Sequence, residues 1–209
     1  MILIGVSGFK GSGKNTFAKK CLNDLACNYG RVAHEMSWAS LLKESAAASL
    51  GIELTGGTET AANEWADEFK SVGQVTVSYR DKAGSDYPDV TISGREFLQN
   101  YGTEAHREIF DDDFWVNAFW TNNDFREDDI VFICDTRFEN EARSIKEHNG
   151  LIIQIANDKV DSAANDTHAS EVPLPGEYID IVVDNNGTID DLTEAAETFV
   201  EALLKDKDD

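Results

Sequence analysis

Four stretches of the chain are apolar almost without a break: residues 1–7 (MILIGVS), 130–135 (IVFICD), 151–156 (LIIQIA) and 179–184 (IDIVVD). Short runs rich in β-branched residues predict strands buried on both faces, as in parallel sheets. Residues 31–37 (RVAHEMS) predict one more. Between the strands, apolar positions recur at the helical period. Phe17, Cys21, Leu22 and Leu25 fall on one face of 14–29, and Gly30 predicts the stop. Residues 38–50 predict a helix closed by Gly51. Residues 138–149 predict another, and Thr188–Leu204 a closing one with Thr188 as its N-cap. The tail KDKDD is expected to fray.

The middle of the chain is patterned differently. Residues 52–70 predict a Gly-Gly-Thr loop and then a helix through Trp65 and Phe69. Residues 74–80 and 89–93 alternate and bracket a turn-rich segment, Asp81–Pro88, which predicts a β-hairpin. Residues 94–110 predict one helix. Phe97, Leu98, Tyr101, Ala105 and Ile109 share a face, and Arg95, Gln99, Gly102 and His106 lie nearly opposite. A polar stripe broken by glycine suits a ligand-facing surface, and it suits plain solvent equally. Strands alternating with helices predict an α/β three-layer sandwich. It has a mostly parallel central sheet, helices on both faces and the hairpin as an insertion. The length fits one domain, 1–209, with 38–110 as an insert region that includes hairpin 74–93.

Composition narrows the partners. No apolar run approaches the roughly 20 residues of a membrane span, and Met1-Ile-Leu-Ile-Gly-Val reads as a first strand without a basic leader. The three cysteines, Cys21, Cys27 and Cys134, lack metal-ligand spacing and are expected reduced, in a cytoplasmic protein. With 18 basic against 40 acidic residues the net charge is −22, which argues against a nucleic-acid surface. From Glu147 onward there are sixteen acidic residues and only three basic ones. An anionic ligand must therefore be gripped by a few cations earlier in the chain.

The run Gly8-Phe-Lys-Gly-Ser-Gly-Lys-Asn-Thr16 follows a predicted strand and opens a predicted helix. That context identifies a P-loop. Glycines let backbone N–H groups point at phosphate oxygens, and the helix N-terminus adds partial positive charge. Lys14 reaches the β and γ phosphates, where charge develops during transfer. Gly8, Gly11, Ser12, Gly13, Lys14, Asn15 and Thr16 are the predicted ATP-binding residues. The common Ser or Thr after the lysine is Asn15 here, with Thr16 behind it. This Gly-Lys-x-Thr form is typical of nucleoside monophosphate kinases. Asp135, at a strand end, is placed like an acid that orients magnesium through water, or like an ordinary turn aspartate. Thr16 and Asp135 are the candidate Mg2+ residues.

Three further segments matter in their order and spacing: Gly94-Arg-Glu-Phe-Leu-Gln-Asn-Tyr-Gly-Thr-Glu-Ala-His-Arg107 with Asp113-Phe-Trp-Val116, Asp135-Thr-Arg137-Phe-Glu-Asn-Glu141, and Asn185-Asn-Gly-Thr188. With the loop, these resemble the deoxynucleoside monophosphate kinases of tailed bacteriophages over roughly 1–50 and 94–205. The resemblance implies transfer of the γ-phosphoryl of ATP, with Mg2+, to a deoxynucleoside 5′-monophosphate, supplying DNA synthesis in a host cytoplasm. It implies a homodimer and makes 38–110 the substrate-binding region. Carried over, Lys43, Arg95, Gln99 and Arg107 fall on the substrate side. Arg137 and Arg143 join Lys14 near the transferred phosphate. Trp38 lies near the substrate helix, as core or as a base-stacking ring. Arg143 is equally placed for an i,i+4 salt bridge to Glu139. The chain departs from the family at Asn15, where Asp is frequent, and at Ser40-Leu41, where Asp-Pro stands. Asp166-Thr-His-Ala-Ser-Glu171 matches a family motif without an assigned role. Two rival readings are another small-molecule P-loop kinase, such as a dephospho-CoA kinase, and a nucleotide-binding regulator without catalysis.

Overall fold

The computed structural model describes residues 1–54, 59–78, 88–161 and 173–205. In chain order its elements are β1 (Ile2–Ser7), α1 (Lys14–Tyr29), β2 (Ala33–Met36), α2 (Ser40–Ser49), α3 (Glu59–Val72), β3 (Gln74–Val77), β4 (Val90–Ser93), α4 (Gly94–Gln99), a π-helical segment (Asn100–Arg107), α5 (Phe114–Asn122), β5 (Ile130–Ile133), α6 (Glu139–Glu147), β6 (Leu151–Ala156), α7 (Asp158–Asp161), a 3-10 turn (Gly176–Tyr178), β7 (Ile181–Asp184) and α8 (Ile189–Lys205). They divide into two units, Met1–Trp38 with Trp120–Asp209, and Ala39–Phe119.

The first unit is built on a five-stranded, wholly parallel sheet in the order β2-β5-β1-β6-β7. The period of two sorts its residues. Ile2, Ile4, Val6, Ile130, Phe132, Ile153, Ile155 and Val183 face α1 and α8, meeting Phe17, Cys21, Leu25, Phe199 and Val200. On the other face α6 lies so close to β1 that a Cβ on Gly5 would stand 2.5 Å from Ile145 Cδ1. Helices on both faces of a parallel sheet make the α/β sandwich read from the sequence. Gly30 ends α1 in the left-handed conformation, its N–H donating to the Leu25 carbonyl. Thr188 caps α8: the Asp191 N–H donates to Thr188 Oγ1 at 3.2 Å, and the Thr188 N–H donates back to the Asp191 carboxylate at 2.6 Å.

One expectation shifts here. The strand predicted through Asp135 stops at Ile133, although Cys134 N–H still donates to Met36 O at 2.9 Å. Beyond that bond the chain turns, and Asp135 spends its carboxylate on a neighbouring loop. Helix α5 was hidden because its sequence, FWVNAFWTN, is apolar nearly all round and carries no helical stripe.

In the second unit β3 and β4 form an antiparallel ladder from Gln74↔Ser93 to Val77↔Val90, the expected hairpin. Its turn, like the Gly-Gly-Thr loop, lies outside the described residues. A small core joins Ala46, Ala66 and Leu98 to Leu42, Trp65, Phe69, Phe97 and Tyr101.

The helix expected over 94–110 is corrected. It is α-helical only to Gln99 and π-helical over Asn100–Arg107, with i→i+5 bonds such as Glu108 N–H to Thr103 O at 3.0 Å. A π turn takes close to one more residue than an α turn, so azimuths lag, on the order of 140° across the segment. His106 thereby leaves the polar stripe and joins the aromatic face. Its ring centroid lies 4.6 Å from Tyr101, 5.0 Å from Phe114 and 4.9 Å from Trp115. Arg107 swings toward the azimuth of Arg95 and Gln99. Ile109, expected on the apolar face, is 73% exposed. Two side chains bond to carbonyls of this segment: His106 Nδ1 bonds Tyr101 O, and Trp115 Nε1 donates to Gly102 O at 2.9 Å.

Candidate active site

The loop after β1 is shaped by three glycines in the left-handed region, Gly8 (φ 134°), Gly11 (φ 85°) and Gly13 (φ 104°). Side chains are disfavoured at such angles, and at two of them there is no room. A Cβ on Gly8 would stand 2.5 Å from the Ile155 carbonyl oxygen, and one on Gly13 would stand 2.4 Å from Asn185 Nδ2. Helix α1 begins at Lys14 with no side-chain cap, and Phe17 N–H donates to Gly13 O at 2.9 Å. Helices leave their first amides unpaired, so this N-terminus offers N–H groups and partial positive charge to an anion.

Lys14 is buried, 7% exposed, and its Nζ donates to the carbonyls of Gly8 at 2.6 Å and Phe9 at 2.7 Å. The ammonium therefore sits over the mouth of its own loop. Ser12 Oγ is buried with no hydrogen-bond partner among the described residues. Such an orphan costs about 1–3 kcal/mol, and a polar ligand in the loop would relieve it. Asn15 is exposed and Thr16 half-buried at the start of α1.

What holds the loop comes from far along the chain. Asn185, just past β7, donates from Nδ2 to Ser12 O at 2.7 Å. Its backbone is fixed in turn: Asn185 N–H donates to Ala156 O at 2.8 Å, and Asn157 Nδ2 donates to Asn185 O at 2.8 Å. The sequence marked Asn185 only as part of a motif.

Strand β5 pairs with β1 with Gly5 opposite Ile133. Asp135 lies in the turn that follows β5. Both Asp135 oxygens are engaged: Ser37 Oγ donates to Oδ2 at 2.5 Å, and Trp38 N–H donates to Oδ1 at 2.8 Å. Asp135 thus anchors the end of β2 beside β5, a task for which Ser37 gave no sequence signal. Trp38 is corrected as a base-stacking ring. It is 2% exposed, its Nε1 donates to Thr136 Oγ1 at 3.3 Å, and its ring meets Trp120 edge-on. Arg137 follows, half-buried. Its N–H and that of Phe138 donate to Glu141 Oε2 at 2.8 and 3.0 Å. Buried Glu141 thereby fixes the backbone that carries Arg137, a role not read from the sequence. Arg143 is on the exposed side of α6.

The remaining candidates belong to the second unit. Arg95 and Gln99 are one turn apart on α4, both half-buried, and neither side chain makes a hydrogen bond or ion pair among the described residues. Arg107 is 8% exposed. Lys43 Nζ donates to Asn63 Oδ1 at 2.5 Å. The segment 166–171 lies outside the described residues.

The donor set fits a nucleotide-borne magnesium rather than a protein-caged metal. Among the described residues no group of three His, Cys, Asp or Glu could hold an ion. Magnesium on a nucleotide takes its ligands mainly from phosphates and water, with one or two protein oxygens. The Thr16 hydroxyl, which makes no hydrogen bond among the described residues, meets that need. Cys21 plays no part, since burial under α8 pushes its thiol well above the ordinary range. No helix among the described residues is long and apolar enough to cross a membrane.

Comparison with known proteins points one way. The family described as deoxynucleotide monophosphate kinase matches residues 63–196. A putative deoxynucleotide monophosphate kinase of Acanthamoeba polyphaga mimivirus is 34% identical over 200 residues, covering 91% of this chain and 92% of that protein. The deoxynucleoside-5'-monophosphate kinase of Escherichia phage T5 is 24% identical over 217 residues, covering 85% and 87%. The deoxynucleotide monophosphate kinase of Escherichia phage RB69 is 30% identical over 108 residues, covering 49% and 42%.

Proposed function

The chain belongs to the deoxynucleotide monophosphate kinase family, and from that premise we propose how its residues carry out the transfer. The protein is a kinase that moves the γ-phosphoryl of ATP to a deoxynucleoside 5′-monophosphate. The observation that carries the assignment of roles is the glycine-shaped loop, closed by Lys14 at the uncapped start of α1.

On binding, the triphosphate takes the place of the Gly8 and Phe9 carbonyls as the partner of Lys14 Nζ. The loop amides and the N-terminus of α1 hold its β and γ oxygens, and Ser12 Oγ gains an acceptor. Magnesium, when bound, would supply positive charge against the negative charge that develops on the phosphates. Thr16 would hold it directly and Asp135 through water, without giving up Ser37 and Trp38. The acceptor is already a phosphate oxygen, so no general base is needed. The remaining task is to bring several negative charges together. Arg137 and Arg143 are assigned to the transferred phosphate, and Lys43, Arg95, Gln99 and Arg107 to the monophosphate. Guanidiniums suit this work because their planar forks grip phosphate oxygens in pairs. Region 38–110 is accordingly proposed as substrate-binding.

The test is a coupled assay with ATP, magnesium and every deoxy- and ribonucleoside monophosphate, with dephospho-CoA alongside. Turnover is expected with at least one deoxynucleotide. Turnover with dephospho-CoA alone, or ATP binding with no acceptor used, overturns the reading.

A further inference from the structure

We infer that Asn185 is a positioning residue for the phosphate loop, acting through the Ser12–Gly13 peptide. In a trans peptide the carbonyl and the next N–H are locked in one plane and point in opposite directions. Asn185 Nδ2 holds the Ser12 carbonyl at 2.7 Å. It therefore fixes the Gly13 N–H on the side away from itself, where that group has no partner among the described residues.

The position is sensitive for two reasons. Gly13 has φ 104°, a region in which a glycine peptide has little steric hindrance to rotation. It is also the last residue before α1, with no side chain of its own to cap the helix. Without an outside tether, the amide next to Lys14 is free to turn. The tether itself is rigid. The Asn185 backbone is held to β6 through Ala156 O and to the next loop through Asn157. The amide nitrogen also fills the space a Gly13 Cβ would take, at 2.4 Å. A residue 173 positions away in sequence thus presents one N–H of the phosphate cradle in its working orientation.

The inference rests on the assignment of the loop to ATP, and the experiment keeps the two apart. ATP affinity is measured directly by calorimetry without an acceptor, and KM for ATP and for the monophosphate are measured separately. The variants are Asn185→Ala, Asn185→Leu (similar in size, without the donor) and, as a control that weakens the same turn, Thr188→Ala. Both Asn185 variants are expected to bind ATP about tenfold or more weakly, with monophosphate KM within about twofold of wild type. Thr188→Ala is expected to lower the melting temperature while ATP affinity is kept. If wild type binds ATP but phosphorylates no deoxynucleotide, the functional reading fails, while loss of ATP affinity in the variants still upholds the tether. Wild-type turnover together with unchanged ATP affinity in Asn185→Leu overturns the tether alone. So does an equal rise in both KM values.

Discussion

The loop Gly8–Thr16 and the helical segment Gly94–Arg107 are both polar, glycine-containing stretches read from local spacing, and they fared differently. In the loop, the three glycines stand where φ is positive, and at Gly8 and Gly13 a Cβ has no room, so residue type and geometry coincide. In the segment, spacing at 3.6 residues placed His106 beside Arg95 and Gln99. The π turn moves His106 among aromatic rings and brings Arg107 round instead. A motif whose residues are selected by backbone conformation can be read directly. A helical face is legible only while the helical period holds. Tertiary contacts such as Trp115 Nε1 to Gly102 O decide that.

The largest expected effect comes from breaking the loop at its charge. Lys14→Ala should lower kcat by about 10²–10³-fold or more, since the lysine acts on charge that develops in transfer. Single-turnover kinetics at saturating ATP checks this, and near-wild-type turnover would remove Lys14 from the chemistry. Gly8→Ala comes next. It forces a Cβ against the Ile155 carbonyl at a φ of 134°, so about 1–3 kcal/mol of stability should be lost, together with ATP affinity. Urea unfolding and calorimetry read the two separately.

On the helical side, Arg107→Lys should raise KM for the monophosphate about tenfold, because an ammonium cannot reproduce a two-pronged grip. ATP affinity should hold. His106→Ala, which removes the ring beneath the π turn, should raise the same KM more modestly. An unchanged KM in both variants would take Arg107 and the π turn out of the monophosphate site.

The smallest effect lies at the turn that carries Asn185. The Thr188 N–H, followed by its hydroxyl, holds the Asp191 carboxyl below its ordinary pKa. A folded-state pKa below the unfolded one gives stability that is present above the unfolded value, near 3.8, and lost as pH falls through the lowered one. The melting-temperature gap between wild type and Asp191→Ala should therefore be present at neutral pH and close under acid. A gap independent of pH would show that the cap acts through its shape alone.

The sequence by itself determined the sheet, the loop and the family. Apolar runs buried on both faces name their own strands. A loop made by three positive φ angles demands glycines at fixed spacing, and helix ends such as Gly30 and Thr188 are written in residue type. The fates of Trp38, Asp135 and Asn185 depended on partners in distant parts of the chain. Ser37 and Trp38 reach Asp135 across 98 and 97 positions, and Asn185 reaches Ser12 across 173. Hydrogen bonds between groups so far apart leave no periodicity or spacing in the chain. Only the parallel order of the sheet, which sets β5 and β6 on either side of β1, brings them within reach.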